Sequence, residues 1–337
     1  FREQNEAGGL FGRRLELIAL DDGYEPNRTL QNMLELLDKR QVFAFVGNVG
    51  TPTTKIALPL ALQKKTIFFG AFTGADLLRK NPPDRYVFNF RPSYRQETAA
   101  IVSYFTRRRA IEPSRIAVFA QDDGFGDAGY QGVVEELARR GYKTPPLRVG
   151  YRRNSNDVSA AVHKLLERKS TIRAVVLVAT YRPAARLIRG LVDAGFRPIF
   201  ATVSFVGSRA LADELRELGS TYCDGVIVTQ VVPHYDADLP AVKRYRRALQ
   251  RFAPSEQPSF VSLEGYLVGR LLCEGVRRAG RDVTTSKLIA ALETMNAFDL
   301  GLDHTLHFGH VRHQASARVY ATILDARGVY RPLSLSK

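Results

Sequence analysis

The chain has 337 residues, 45% hydrophobic and 25% charged, with a net charge of +15 and two cysteines, Cys223 and Cys273. At about 150 residues per domain, this length suits two domains, each with its own core. Two cysteines exclude a disulfide scaffold and a four-cysteine zinc site, and no apolar run is long enough to span a bilayer.

The predicted elements alternate between short apolar strands and amphipathic helices. Leu15–Leu20 reads as a strand, followed by the turn-rich Asp21-Asp22-Gly23-Tyr24-Glu25-Pro26-Asn27 and a helix over Thr29–Lys39. A buried strand at Val42–Val46 leads to a helix at Pro52–Lys64 and a strand at Thr66–Phe69. Ser93–Arg109 reads as a helix and Arg115–Ala120 as a strand. The beat continues through Gly129–Arg140, Leu147–Tyr151, Val158–Arg168, Ala174–Ala179, Arg182–Ala194, Ile199–Ala201 and Gly225–Thr229. Long helices then follow at Leu239–Phe252, Ser259–Ala279 and Ser286–Met295, and His304–Leu335 reads as short strands and turns. Alternation of this kind builds parallel sheets covered by helices on both faces, whose ligands bind beyond the carboxyl ends of strands.

The positive charge comes from 38 Arg and 11 Lys, scattered in pairs and triplets such as Arg107-Arg108-Arg109 and Arg277-Arg278. Most of these fall at polar helix ends, where cations suit the helix dipole. No basic stripe interleaved with aromatics is present, so the charge reads as a solvated surface and no nucleic-acid partner is expected.

Four segments are candidates for chemistry. Gly47–Thr54 joins a buried strand to a helix, with Thr51 or Thr53 available to cap the helix that Pro52 begins; such a helix start suits a carboxylate or phosphate. It is not a phosphate-binding Walker loop, because no Gly-Lys-Ser/Thr follows at the required spacing. Phe69–Ala75 lies at another strand end, where small residues expose backbone groups and Thr73 offers a hydroxyl. Gly124–Gly129 matches G-x-G-x-x-G, but Asp122 and Asp123 stand where a pyrophosphate would sit. The next strand also ends without an acid for a ribose, so no dinucleotide cofactor is expected. His304, His307, His310 and His313 recur every third residue. On a strand only His304 with His310, or His307 with His313, would share a face, and a hairpin at Gly309 would separate even these; no metal site is expected. No catalytic set emerges. Asp21-Asp22 and Asp122-Asp123 read as capping residues rather than acid/base pairs, and the chain is not expected to be an enzyme.

In order along the chain, several segments resemble the type I periplasmic binding proteins, specifically the Leu/Ile/Val-binding family serving ABC transporters. They are Asn5–Gly9 with Gly12–Leu17 and Asp21-Asp22, the Gly47–Thr54 and Gly70–Ala75 loops, Gly124-Phe125-Gly126, Thr180–Pro183, Gly195-Phe196 and Gly225–Thr229. The resemblance covers nearly the whole chain. It implies an α/β fold of two doubly wound Rossmann-like lobes with parallel central sheets, joined by a three-stranded hinge. Lobe 1 would hold residues 1–112 and 232–316 and lobe 2 residues 113–231 and 317–337, with crossovers near 112, 231 and 316. The implied protein is a periplasmic solute-binding monomer that closes around an amino acid or related small carboxylate in the interlobe cleft and is read by an ABC permease. A ligand-binding sensor of the same fold is the alternative.

Site residues carry over by position. The resemblance implies that Gly50 and Thr51 receive the ligand carboxylate, with Thr73 adding a hydroxyl, the Ala71 carbonyl accepting from an ammonium, and Phe72 forming an apolar wall. From the other lobe, Phe125 and Tyr181 would close over the ligand, beside Ser204 and Phe205. Two departures stand out. Family members pair the ammonium with an acid in the loop matching Thr202–Phe205, which has none here; either Asp122 or Asp123 substitutes, or the ligand lacks an amine. The family's first strand, a ligand-contacting loop and most of a helix, about thirty residues with the signal peptide before them, have no counterpart in this sequence, which would leave lobe 1 short of a central strand. The family's lobe 1 disulfide also has none, and both cysteines are expected to be free.

Overall fold

The structure is a computed structural model describing residues 1–335. The chain divides into two compact units, Phe1–Pro92 with Pro233–Ala317, and Ser93–Val232 with the stretch from Arg318 onward. The first crossing therefore falls about twenty residues before the expected position near 112. The reason is packing: the helix Tyr94–Ser103 belongs with the second unit, where Gly132 lets its neighbour helix approach the backbone of Arg95. Ser336 and Lys337, the end of expected lobe 2, lie outside the described residues.

Unit 1 is built on three parallel strands, β1 (Ala44–Val46), β2 (Ile67–Phe69) and β3 (Val87–Phe88), in the order β1-β2-β3. The uninterrupted Ile67-Phe68-Phe69 is what a strand covered on both faces requires. Phe45 and Phe68 pack with Met33, Ala57 and Leu58 of the flanking helices Pro26–Leu34 and Thr51–Gln63. Behind the sheet, Phe88 meets Phe308 edge-on at 5.4 Å.

Leu15–Leu20 is not a strand. It has no ladder partner among the described residues, and Leu17 and Leu20 are 61% and 42% exposed. An apolar run becomes a strand only where a neighbour takes up its backbone groups.

Unit 2 carries β4 (Ile116–Gln121), β5 (Leu147–Tyr151), β6 (Ala174–Val178), β7 (Ile199–Thr202), β8 (Ile227–Gln230), β9 (Tyr320–Leu324) and β10 (Tyr330–Leu333), in the order β10-β9-β8-β7-β6-β4-β5. β4 to β8 are parallel, and β9 and β10 close one edge antiparallel. A helix follows each of β4, β5, β6 and β7, which is the doubly wound α/β fold expected. Three details differ from the sequence reading. The helix after β4 spans Gly124–Arg139, absorbing the G-x-G-x-x-G segment, and a helix at Ser208–Leu218 had not been expected. The expected helices Thr29–Lys39 and Ser93–Arg109 both finish in a π-helical turn, at Glu35–Lys39 and Tyr104–Arg108.

Candidate functional site

In unit 1 the two predicted loops meet. The backbone N–H of Phe72 donates to the Asn48 carbonyl at 2.8 Å, and that of Gly50 donates to the Phe72 carbonyl at 3.2 Å. Parallel strands β1 and β2 bring both carboxyl ends to one edge, and these two bonds extend the ladder into the loops. The helix Thr51–Gln63 starts there, with Gly50 as its N-cap at φ 94°, ψ 157°. Only glycine is at ease in that backbone region. A Cβ at Gly50 would also lie 2.2 Å from the Tyr24 ring.

Neither Thr51 nor Thr53 caps this helix, contrary to expectation. Thr53 instead donates back to the carbonyls of Val49 and, at 3.1 Å, Gly50. That frees Thr51, whose hydroxyl lies 2.8 Å from that of Thr73 in the other loop. The Thr73 oxygen also accepts from the Ala75 N–H at 3.3 Å. The Thr51 and Thr73 hydroxyls thus share one bond beside the N–H groups of the helix start. This cluster of donors at the positive end of a helix suits a carboxylate. The Ala71 carbonyl already accepts from the Thr73 N–H at 2.8 Å, leaving one lone pair for a cationic donor.

Two arginines fix the second loop. Arg79 donates to the carbonyls of Ala75 at 2.8 Å and Arg91 at 3.0 Å. Arg91, 1% exposed, forks onto Glu264 at 2.8 and 2.7 Å and places its guanidinium 4.2 Å from the centre of the Phe72 ring. Phe72, expected as an apolar wall, thus covers a buried cation.

In unit 2, Phe125 and Phe205 meet at 4.7 Å, and Tyr94 joins them at 5.0 Å from Phe125 and 6.3 Å from Phe205. Phe125 sits on the first turn of its helix because Asp123 caps it, accepting the Phe125 N–H at 2.9 Å and the Gln121 amide at 2.6 Å. Gly126 must be glycine, since a Cβ there would lie 1.9 Å from the Gln121 carbonyl. The G-x-G-x-x-G spacing therefore serves helix-on-strand packing. Tyr181 opens the helix after β6, half-buried, with Arg182 against its ring. Below it, the Tyr151 hydroxyl donates to Gln121 at 2.9 Å and accepts the Thr180 N–H at 3.0 Å. Burial pushes the Tyr151 phenol up to about 12.

The loop after β7 holds a feature that the sequence reading missed. The Ser204 N–H and hydroxyl donate to the carboxylate of Glu97 at 2.8 and 3.1 Å, and the Thr229 hydroxyl donates to it at 2.6 Å. Glu97 is fully buried. An acid therefore does stand at this loop, delivered by the helix Tyr94–Ser103 instead of by Thr202–Phe205. No sequence signal near residues 202–205 pointed to it, because Glu97 lies more than a hundred residues earlier.

Among the described residues no group of three or more His, Cys, Asp or Glu side chains converges on a possible metal position. His310 and His313 converge on Glu293, at 2.6 and 3.2 Å, a pairing the every-third spacing did not suggest. Both cysteines are free and buried, and burial raises both thiol pKa values. No helix of the described residues is long and apolar enough to cross a membrane.

The comparisons agree with this architecture. The family model described as "Periplasmic binding protein" matches residues 1–328. A possible leucine/isoleucine/valine-binding protein from Rhodopirellula baltica SH 1 shares 42% identity with a TM-score of 0.94, over 99% of this chain and 89% of that one. A branched-chain amino acid ABC transporter protein from Thermus thermophilus with bound valine superposes with a TM-score of 0.82 at 16% identity, over 99% and 88% of the two chains, which speaks to fold alone. The curated "Amino acid binding protein" of Pseudomonas aeruginosa is 23% identical over 82% of this chain and 71% of its own length. With the loop geometry, the doubly wound units and the matched length all in agreement, the chain belongs to the periplasmic binding protein family and has its type I fold.

Proposed function

We propose that this protein is an extracytoplasmic solute-binding protein of an ABC importer, taking an amino acid with an aliphatic or aromatic side chain. The observation that carries the reading is the hydroxyl pair of Thr51 and Thr73 at the start of the helix Thr51–Gln63. The Thr51 hydroxyl and the N–H groups of the helix start receive the ligand carboxylate. Phe72, in the same loop as Thr73, supplies apolar cover for the ligand side chain.

Glu97 decides between an amine-bearing ligand and an amine-free acid. Its carboxylate accepts from the Ser204 N–H and hydroxyl and from the Thr229 hydroxyl, which places a carboxylate at the loop where the family resemblance expects an acid for the ligand ammonium. Beside Thr73, the Ala71 carbonyl offers an ammonium an acceptor of its own, so an amino acid is favoured over its amine-free analogue. The similarity to the Rhodopirellula protein, a possible leucine/isoleucine/valine-binding protein, supports the same class.

The test is a thermal-shift panel of leucine, isoleucine, valine and phenylalanine against the matching acids without the amine. A ligand at 100-fold its Kd adds about 2.7 kcal/mol to stability. Stabilisation by one or more amino acids, and a smaller or absent shift with the amine-free acids, is expected. Stabilisation by the amine-free acids alone would refute the role given to Glu97, and no shift with either set would refute the proposed ligand class.

A further inference from the structure

At the end of the unit 2 sheet opposite Phe125, Tyr181 and Ser204 lies a second cavity, of about 580 Å³. It opens where the chain enters β4, β6 and β7. Five cations line it, Arg109, Arg115, Lys169, Arg173 and Arg197, against one carboxylate, Glu112. We propose that this cavity binds a compact polyanion carrying phosphate groups.

The strand register forces like charges together. Ile116 pairs with Ala174 in the parallel ladder, and the bond from the Arg173 N–H to the Arg115 carbonyl (2.9 Å) carries that pairing one residue further. Arg115 and Arg173 therefore lie side by side just before adjacent strands β4 and β6, with their backbones about 4.8 Å apart in the hydrogen-bonding direction. Like charges directly opposite destabilise a sheet unless an anion lies between them. Glu112 meets only part of this demand, pairing with Arg115 at 3.2 Å with both side chains largely in solvent.

The remaining cations are held or left available. Arg197 is fixed by the carbonyls of Thr221 at 2.8 Å and Asp224 at 2.7 Å. Those bonds spend hydrogen-bond donors without neutralising charge. Arg109 and Lys169 make no side-chain hydrogen bond or ion pair among the described residues. Guanidinium forks match phosphate oxygens in pairs, and Lys adds a mobile point charge. The floor is apolar, with Ile172 and Phe196 buried beneath the charged rim. A volume of this size lies in the range of small-molecule sites and exceeds what one inorganic phosphate fills. The fitting ligand thus has two or more phosphate oxyanion centres, or one phosphate on an organic body, as in a phosphorylated metabolite or an anionic phospholipid headgroup.

The probes are inorganic pyrophosphate, followed by calorimetry, and vesicles of phosphatidylglycerol in phosphatidylcholine, followed by sedimentation. A chain of this charge attracts anions generally, so the control is a matched charge reversal elsewhere. Arg109→Glu with Lys169→Glu removes the cavity's available cations, whereas Arg244→Glu with Arg247→Glu makes the same change on the exposed face of the helix Pro240–Phe252. All four side chains are exposed, and equal melting temperatures verify folding. Pyrophosphate should bind the natural protein, the cavity variant about tenfold or more weaker, and the control variant within about twofold. Vesicle binding that pyrophosphate displaces identifies the lipid headgroup as the source, and pyrophosphate binding without vesicle binding identifies a soluble phosphate compound. Equal weakening in both variants, or no binding of either probe, overturns the proposal.

Discussion

Replacing Glu264 by Gln in unit 1 is a severe test of how the second ligand loop is held. The carboxylate receives both arms of the Arg91 fork at 2.8 and 2.7 Å, with the two side chains 4% and 1% exposed. Gln keeps the shape but removes the charge, so the buried guanidinium loses the carboxylate that its fork meets. Breaking a buried pair from one side costs about 3–5 kcal/mol, which for a unit of this size lowers Tm by roughly 6–20 °C. The double variant Arg91→Met with Glu264→Leu removes both charges, and should lie closer to the natural protein than Glu264→Gln does, because the larger penalty comes from removing one partner of the pair. Thermal unfolding followed by circular dichroism gives the magnitude. Amide hydrogen exchange in β2 and β3 assigns it to unit 1, and the Phe72–Ala75 amides should lose protection with them. A loss under about 1 kcal/mol for Glu264→Gln, or a double variant less stable than the single one, would refute the reasoning.

Three more outcomes follow from the same geometry. Gly50→Ala should lose roughly 1–3 kcal/mol from the backbone alone, with more from the clash against Tyr24, read as a lower urea midpoint. Tyr151 stays protonated in the folded state up to about pH 12 but ionises near 10 when unfolded, so its contribution is complete below pH 10 and is lost as pH rises to 12. A shift of that size amounts to about 2.7 kcal/mol, and Tyr151→Phe should flatten the stability profile between pH 10 and 12, measured by urea unfolding at each pH. Glu97→Gln should weaken an amino acid by about tenfold or more while leaving its amine-free analogue within about threefold, by calorimetry.

The alternating pattern was legible because buried strands such as Ala174–Val178 are wholly apolar and their helices keep a 3.6-residue period. The same rule misled at Leu15–Leu20, where the apolar run lacks a neighbour to complete its hydrogen bonds. It was also blind to β3, since Val87 and Phe88 are too few to show a period. The loops Gly47–Thr54 and Gly70–Ala75 announced themselves through glycine and threonine at strand ends, and the contact between Thr51 and Thr73 follows from the parallel ladder joining them. Glu97 and the Arg91–Glu264 fork left no local trace: their partners are 107 to 173 residues away, a pairing that only tertiary packing creates. The basic cavity was hidden for a similar reason, because Arg115, Arg173 and Arg197 become neighbours only through strand order.

The most direct measurement is calorimetric titration of L-leucine, and of 4-methylpentanoate, its amine-free analogue, into the natural protein and into Thr51→Val. L-leucine should bind the natural protein more tightly than the analogue does. Losing the Thr51 hydroxyl should weaken it by about 1.5–3 kcal/mol, or roughly 10- to 150-fold. Undiminished L-leucine binding by Thr51→Val, or tighter binding of the analogue, would contradict the proposed function.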